Sequence, residues 1–363
     1  MTISDTTPPM AAEAVQAPAA MSAEGDHAGV ATPSKMSKKR KARIAALMIA
    51  LLILGLLLAW YLLNRKPLSE LPGLSNTKLP HYEMSIYGTS KPIGVAVTPT
   101  GDRIYITESD GTRLVKVYDR AGKQTGVLTP PKRAGNSHLP MYVAINPKTQ
   151  DVYVSDRMTG SIYIYDSKNT FLRTFAPKGD LGGKWSPLGL AFAPGGTFYV
   201  TDVRGHDDGK HRVVVFSPDG GPDGTLVRSM GKPGQLAYPN GIVVDRHGNI
   251  EVADSNNGRL LIFSPNGKVL SSITQGVGAG DLGLPRGAAV DDAGRLFVAD
   301  TADHQVRAYM ITASKATPTY FGSFGEEGQL DGTFEYPNGV ATDQRAHIYI
   351  TDRENNRTQV WGY

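Results

Sequence analysis

Cysteine is absent from the 363 residues. That excludes disulfides, thiolate metal ligands, a cysteine nucleophile, c-type haem attachment and a lipoprotein anchor. It suits an oxidising compartment, where a free thiol is a liability, without identifying one. An excess of one charge is also missing from most of the chain. The net +4 belongs to the N-terminus, where Lys35, Lys38, Lys39, Arg40, Lys41, Arg43, Arg65 and Lys66 outnumber Asp5, Glu13, Glu24 and Asp26. Beyond Lys66 acids and bases balance, so that part has no basic excess to attract phosphate backbones, which argues against a nucleic-acid partner. There is no Gly-x-Ser-x-Gly elbow, phosphate loop, dinucleotide fingerprint or zincin motif. Enzyme chemistry therefore has no positive signal, and no cofactor is indicated.

What the chain does have is 41 Gly and 24 Pro, which implies many turns. Residues 1–34 are rich in Ala, Thr, Pro and Ser without apolar periodicity, and read as disordered. Met36 opens MSKKRKAR, which would also serve as a start. Ile44–Leu63, IAALMIALLILGLLLAWYLL, carries no charge. As a helix rising ~1.5 Å per residue, such a run matches the hydrocarbon thickness of a bilayer. Basic residues crowd its N-terminal side, so the positive-inside rule places residues 1–43 as a cytoplasmic tail and the remainder outside. Trp60 and Tyr61 would sit at the outer interface. A cleaved signal peptide is the alternative, but no small-x-small cleavage site follows the run. The expectation is a plasma-membrane protein with a single-pass anchor at 44–63, a linker at 64–80 stiffened by Pro67 and Pro72, and an extracytoplasmic domain at 81–363.

That domain repeats one unit six times. Each unit opens with Pro-x-Gly and an apolar strand: Pro92-Ile93-Gly94, Pro187-Leu188-Gly189, Pro239-Asn240-Gly241, Pro285-Arg286-Gly287 and Pro337-Asn338-Gly339, with Pro140-Met141-Tyr142 as the degenerate copy. A second strand then ends in a carboxylate, at Glu108, Asp156, Asp202, Asp254, Asp300 and Asp352, spaced 46 to 52 residues apart. A polar turn and a third strand follow. No helical period is sustained. Each unit reads as a four-stranded antiparallel meander, and six of them predict an all-β, six-bladed propeller. The last unit stops after its third strand. Tyr82–Gly88, YEMSIYG, has the pattern of a fourth strand and is expected to close the final blade.

Segments such as FGSFGEEGQLDGTFEYPNGVATD and YPNGIVVDRHGNIEVADSNNGRLLIFSPNGK resemble NHL repeats. The resemblance implies a six-bladed, TolB-like propeller of the NHL type, but no single function. Amidating lyases of this class hold zinc with histidines in the slot between Pro and Gly. Here the slots carry Ile93, Met141, Leu188, Asn240, Arg286 and Asn338, so that zinc site does not carry over. The expected role is a binding or scaffolding module with a protein or small-molecule partner at the channel face. The alternative is a propeller enzyme, a lyase or lactone hydrolase, with its site at the channel mouth.

Candidate residues follow from where the repeats differ. The slot residues should ring the channel mouth, with an apolar arc of Ile93, Met141 and Leu188 and a polar arc of Asn240, Arg286 and Asn338. Tyr142 replaces the repeat glycine on the apolar arc. Tyr142, Asn240, Arg286 and Asn338 are the expected ligand-binding set, suited to a ligand with one apolar side and one anionic or carbonyl group. The strand-end carboxylates recur in every blade and read as turn acceptors rather than metal ligands. The insertion Val203–His211, with His206, Asp207, Asp208 and His211, reads as a solvated loop. His247 and His347 read as exposed turn residues. Glu251 is anomalous, because its counterparts are Tyr105, Tyr153, Tyr199, Phe297 and Tyr349.

Overall fold

The computed structural model describes residues 37–64, 78–132, 137–181, 185–203, 210–217, 224–232, 235–276, 278–312 and 317–363, and side chains in the helix up to Leu56. The expected disordered tail 1–34, most of the linker 64–80, and His206, Asp207 and Asp208 of the blade-three insertion lie outside the described residues. Two units divide the chain, Met1–Leu58 and Ala59–Tyr363.

Ala, Leu and Met favour a helix over Lys38–Asn64 because they lose little rotamer freedom there. Ser37 caps it, its Oγ accepting the Arg40 N–H at 3.3 Å. The helix thus takes in the basic run as well as the apolar one. Among the described residues no helix is long and apolar enough to cross a membrane, and the described side chains of the apolar run end at Leu56.

The second unit is six four-stranded antiparallel sheets. Blades 1 to 5 each take four consecutive strands. Their inner strands are Pro92–Val97, Pro140–Ile145, Pro187–Phe192, Pro239–Val244 and Pro285–Val290. Blade 6 has three strands from the C-terminus, starting with Pro337–Thr342, and takes its outer strand His81–Tyr87 from the start of the domain. Each inner strand contacts the inner strands on both sides, and blade 6 meets blade 1, so the ring is closed.

The strand sequences explain the stacking. Alternate side chains of a strand point to opposite faces, and here both faces are apolar. Ile104 and Ile106 pack toward blade 6, while Tyr105 between them packs toward blade 2. Six buried clusters result, one at each junction between neighbouring blades.

Closure follows the expected pairing. His81 stands opposite Gly362 and Tyr87 opposite Arg357, with a slip between Tyr82 and Met84. Tyr82 meets Trp361 edge-on at 6.1 Å. His347 is not simply exposed. Its Nδ1 lies 2.9 Å from Asp343 Oδ2 and its Nε2 3.6 Å from Glu83 Oε2, so it links a turn of blade 6 to the closing strand.

The Pro-x-Gly motif is a β-bulge. In blade 1, Pro92 pairs with Glu108 and Val95 with Ile106, so Ile93 and Gly94 together face Thr107. The same shift recurs in every blade. Thr107 Oγ1 accepts the Gly94 N–H at 2.7 Å and donates to the Met141 carbonyl of the next blade at 2.8 Å. Ser155, Thr201 and Thr351 bridge to Leu188, Asn240 and Ile93 in the same way, at 2.6, 3.1 and 2.8 Å. Blades 4 and 5 have Ala253 and Ala299 at this position. There the hydroxyl has moved past the carboxylate, and Ser255 and Thr301 donate to the Pro285 and Pro337 carbonyls at 2.5 and 2.6 Å. Glycine ends the motif because a Cβ at Gly189 or Gly287 would press on the carbonyl oxygen of Asn240 or Asn338.

Candidate functional site

The bulges set the six slot residues at the start of the inner strands. Below them is a cavity of about 220 Å³ lined by residues of all six inner strands, among them Val95, Val143, Leu190, Ile242, Ala288 and Val340. Its side-chain walls are almost wholly apolar. The apolar arc exists as a packed cluster: Ile93, Met141 and Leu188 bury with Tyr142 and Val203, and Leu139 and Tyr238 cover them.

Tyr142 is the residue that shapes the mouth. With a side chain where other blades have glycine, it reaches across the ring, and its hydroxyl donates to Asn338 Oδ1 at 3.4 Å. Burial pushes its phenol well above the ordinary value, and the positive charge of nearby Arg286 opposes that rise. Tyr142, Arg286 and Asn338 therefore converge.

Asn240 does not join them. It is 3% exposed, and its amide donates to Ser255 Oγ at 2.7 Å and to the Tyr238 carbonyl at 3.0 Å. It holds the hydroxyl that replaces the missing threonine of blade 4, and so belongs to the framework. Tyr238 takes its place at the mouth. The Arg157 guanidinium lies 5.4 Å from the centre of its ring, and the His211 ring lies 6.0 Å away. Tyr238 precedes the proline of its motif with φ of 53°, a left-handed backbone shared by Lys91 and Tyr336 before their own motif prolines.

Charge at the mouth is one-sided. Among the described residues neither Arg286 nor Arg157 has a carboxylate within ion-pair distance. The strand-end carboxylates, by contrast, all have partners. Glu108 pairs with Lys116, Asp156 with His138, Asp202 with Arg212, Asp254 with Arg259, Asp300 with Arg307 and Asp352 with Arg357. They also accept backbone N–H groups, chiefly from the loop before the inner strand: Ser90, Ser186, Ala237, Leu284 and Glu335. Only some come from the following turn, as at Thr159. Among the described residues no group of acids and histidines could hold a metal ion.

Glu251 is neither paired nor at a rim. It is 1% exposed, and Oε2 has no hydrogen-bond partner among the described residues. Burial, reinforced by the charge of Asp245, raises its carboxyl well above the usual range.

A family model described as the NHL repeat matches residues 236–263, 282–309 and 334–361, which lie in blades 4, 5 and 6. No curated protein matches the sequence. Among solved structures, a streptogramin B lyase is similar over 78% of this chain and 98% of its own, at 12% identity and a TM-score of 0.54. A catalytically inactive virginiamycin B lyase from Staphylococcus aureus, solved with quinupristin, is similar over 77% of this chain and 98% of its own, at 15% identity and a TM-score of 0.53. These likenesses establish the six-bladed fold, and the NHL-repeat model matches the repeats of blades 4, 5 and 6.

Proposed function

We propose that this NHL-repeat propeller is a binding module and that its channel mouth takes an amphipathic carboxylate or carbonyl group, either a small molecule or the equivalent group of a protein partner. In this reading Ile44–Leu63 anchors the chain in the plasma membrane, with the N-terminus in the cytoplasm and the propeller outside.

The observation that carries the proposal is Arg286, a half-buried guanidinium with no carboxylate partner among the described residues, in a molecule that pairs every strand-end carboxylate. A guanidinium in such a place gains from an anionic acceptor. Tyr142 and Tyr238 supply an apolar surface beside it, and Asn338 a polar contact. Tyr142, Tyr238, Arg286 and Asn338 include no carboxylate and no imidazole. With aromatic faces, a guanidinium and an amide they suit holding a ligand, which favours a binding role.

Benzoate is a minimal probe with one aromatic face and one carboxylate. Arg286→Ala should weaken its binding by about 1.5–3 kcal/mol, measured by calorimetry. Undiminished binding in the variant sinks the site. Protease added to spheroplasts should digest the propeller and spare residues 1–43, and a protected propeller would overturn the topology.

A further inference from the structure

We infer a second ligand site, for a phosphate monoanion or dianion, in the cavity between blades 1 and 2. The cavity holds about 450 Å³ and is lined by Asp110, Thr112, Arg113, Pro131, Lys132 and His138.

The first argument is a break in the repeat. In five blades the strand-end carboxylate is neutralised by a fixed cation on the third strand: Lys116, Arg212, Arg259, Arg307 and Arg357. In blade 2 the residue opposite Asp156 is Ser161, and the partner is His138, from the loop before the inner strand, with Nδ1 at 2.8 Å from Asp156 Oδ2. A lysine or arginine in this role spends its charge on the framework. A histidine held through Nδ1 keeps Nε2 for another partner. Tyr163 meets the ring edge-on at 5.7 Å and fixes its plane.

The second argument is the turn facing it. Gly111 and Arg113 are both left-handed, with φ of 63° and 52°. Among the described residues the N–H groups of Gly111 and Thr112 make no hydrogen bond within the chain. Adjacent unsatisfied N–H groups in such a turn form a concavity suited to an anion. Arg113 and Lys132 have no ion-pair partner among the described residues; of the carboxylates nearby, Glu108 is paired with Lys116 and accepts the Thr112 hydroxyl, Asp156 is held by His138, and Asp110 is unpaired. An oxyanion with several acceptor oxygens can engage the turn, the Arg113 fork and the His138 ring together.

This site is independent of the channel mouth, since it shares no residue with it. The test is calorimetric titration of the full-length chain with inorganic phosphate and, separately, glycerol phosphate, which distinguishes a free anion from an esterified one. Arg113→Asn is the main variant, because asparagine tolerates a left-handed backbone. It should weaken phosphate binding about tenfold. His138→Gln should also weaken binding, and Lys168→Gln, on an exposed turn elsewhere, should not. Melting curves identify any variant that fails to fold, in which case Lys132→Gln replaces it. Equal binding by all variants overturns the proposal, as does the absence of binding by both probes up to about 10 mM.

Discussion

Two junctions between blades show how differently one repeat position can be used. Where blade 2 meets blade 3, Tyr153 lies among rings, 5.0 Å from Phe192, 5.2 Å from Phe198 and 6.3 Å from Phe175. Phe175 in turn meets Phe216 at 5.1 Å. Where blade 4 meets blade 5, the same position holds Glu251, opposite Val243 and Ile262 as Tyr153 is opposite Ala144 and Ile164. The aromatic fills the junction by dispersion and edge-to-face contact. A carboxyl there is desolvated and faces the charge of Asp245, and both raise its pKa well above the usual carboxylate range. Blade 6 offers the reference case: Tyr349 donates its hydroxyl to Asp343, the counterpart of Asp245, at 3.1 Å. Glu251 makes no such bond to Asp245: its Oε2 has no hydrogen-bond partner among the described residues.

The comparison breaks most visibly at the aromatic junction. Tyr153→Ala should cost about 3–5 kcal/mol of unfolding free energy in chemical denaturation, because it opens a cavity in a packed cluster. A loss below about 1 kcal/mol would mean that the rings repack freely. Next comes the bridge between blades. Thr201→Val removes the hydroxyl that joins Gly189 to Asn240, leaves a buried N–H and a carbonyl unsatisfied, and should cost about 1–3 kcal/mol.

Glu251→Gln sharpens the contrast through pH. The folded state binds the Glu251 proton more tightly than the unfolded chain does. Stability therefore declines as pH rises from the ordinary carboxyl value of 4.5 toward the raised one. The variant should flatten that decline and gain about 1 kcal/mol at neutral pH, measured as melting temperature against pH. Parallel pH profiles for the two proteins would show that Glu251 is ionised and solvated after all. The smallest effect belongs to the channel mouth. Arg286→Ala should leave stability within about 0.5 kcal/mol while it weakens benzoate binding, because a side chain without a framework partner supports little of the fold.

The closing strand could be read in advance from YEMSIYG, because an alternating apolar segment with a terminal glycine repeats what precedes other blades. The mouth was only half legible. Slot position singled out Arg286 and Asn338 and marked Tyr142 as a departure, and the structure brings Tyr142 and Asn338 within hydrogen-bond distance. The slot does not reveal that Ser255 lies beside Asn240 as a hydrogen-bond acceptor. The compensating signal was present in the strand ends: IYITE, VYVSD, FYVTD and IYITD carry a hydroxyl before the carboxylate, while IEVADS and LFVADT carry it after.

The sequence by itself determined the six blades, their antiparallel strands, the apolar faces and the closure of the ring. These depend on local periodicity and on turns within a few dozen residues, which repetition makes unmistakable. Only the tertiary structure decided which polar groups meet: Asn240 with Ser255, Tyr142 with Asn338 across the mouth, His138 with Asp156, His347 with Glu83. The physical reason is that burying apolar surface rewards any neighbour of suitable size, whereas a hydrogen bond requires one donor and one acceptor at a fixed distance. Those distances are set by the bulges and by closure of the ring, which bring together residues as far apart as positions 83 and 347.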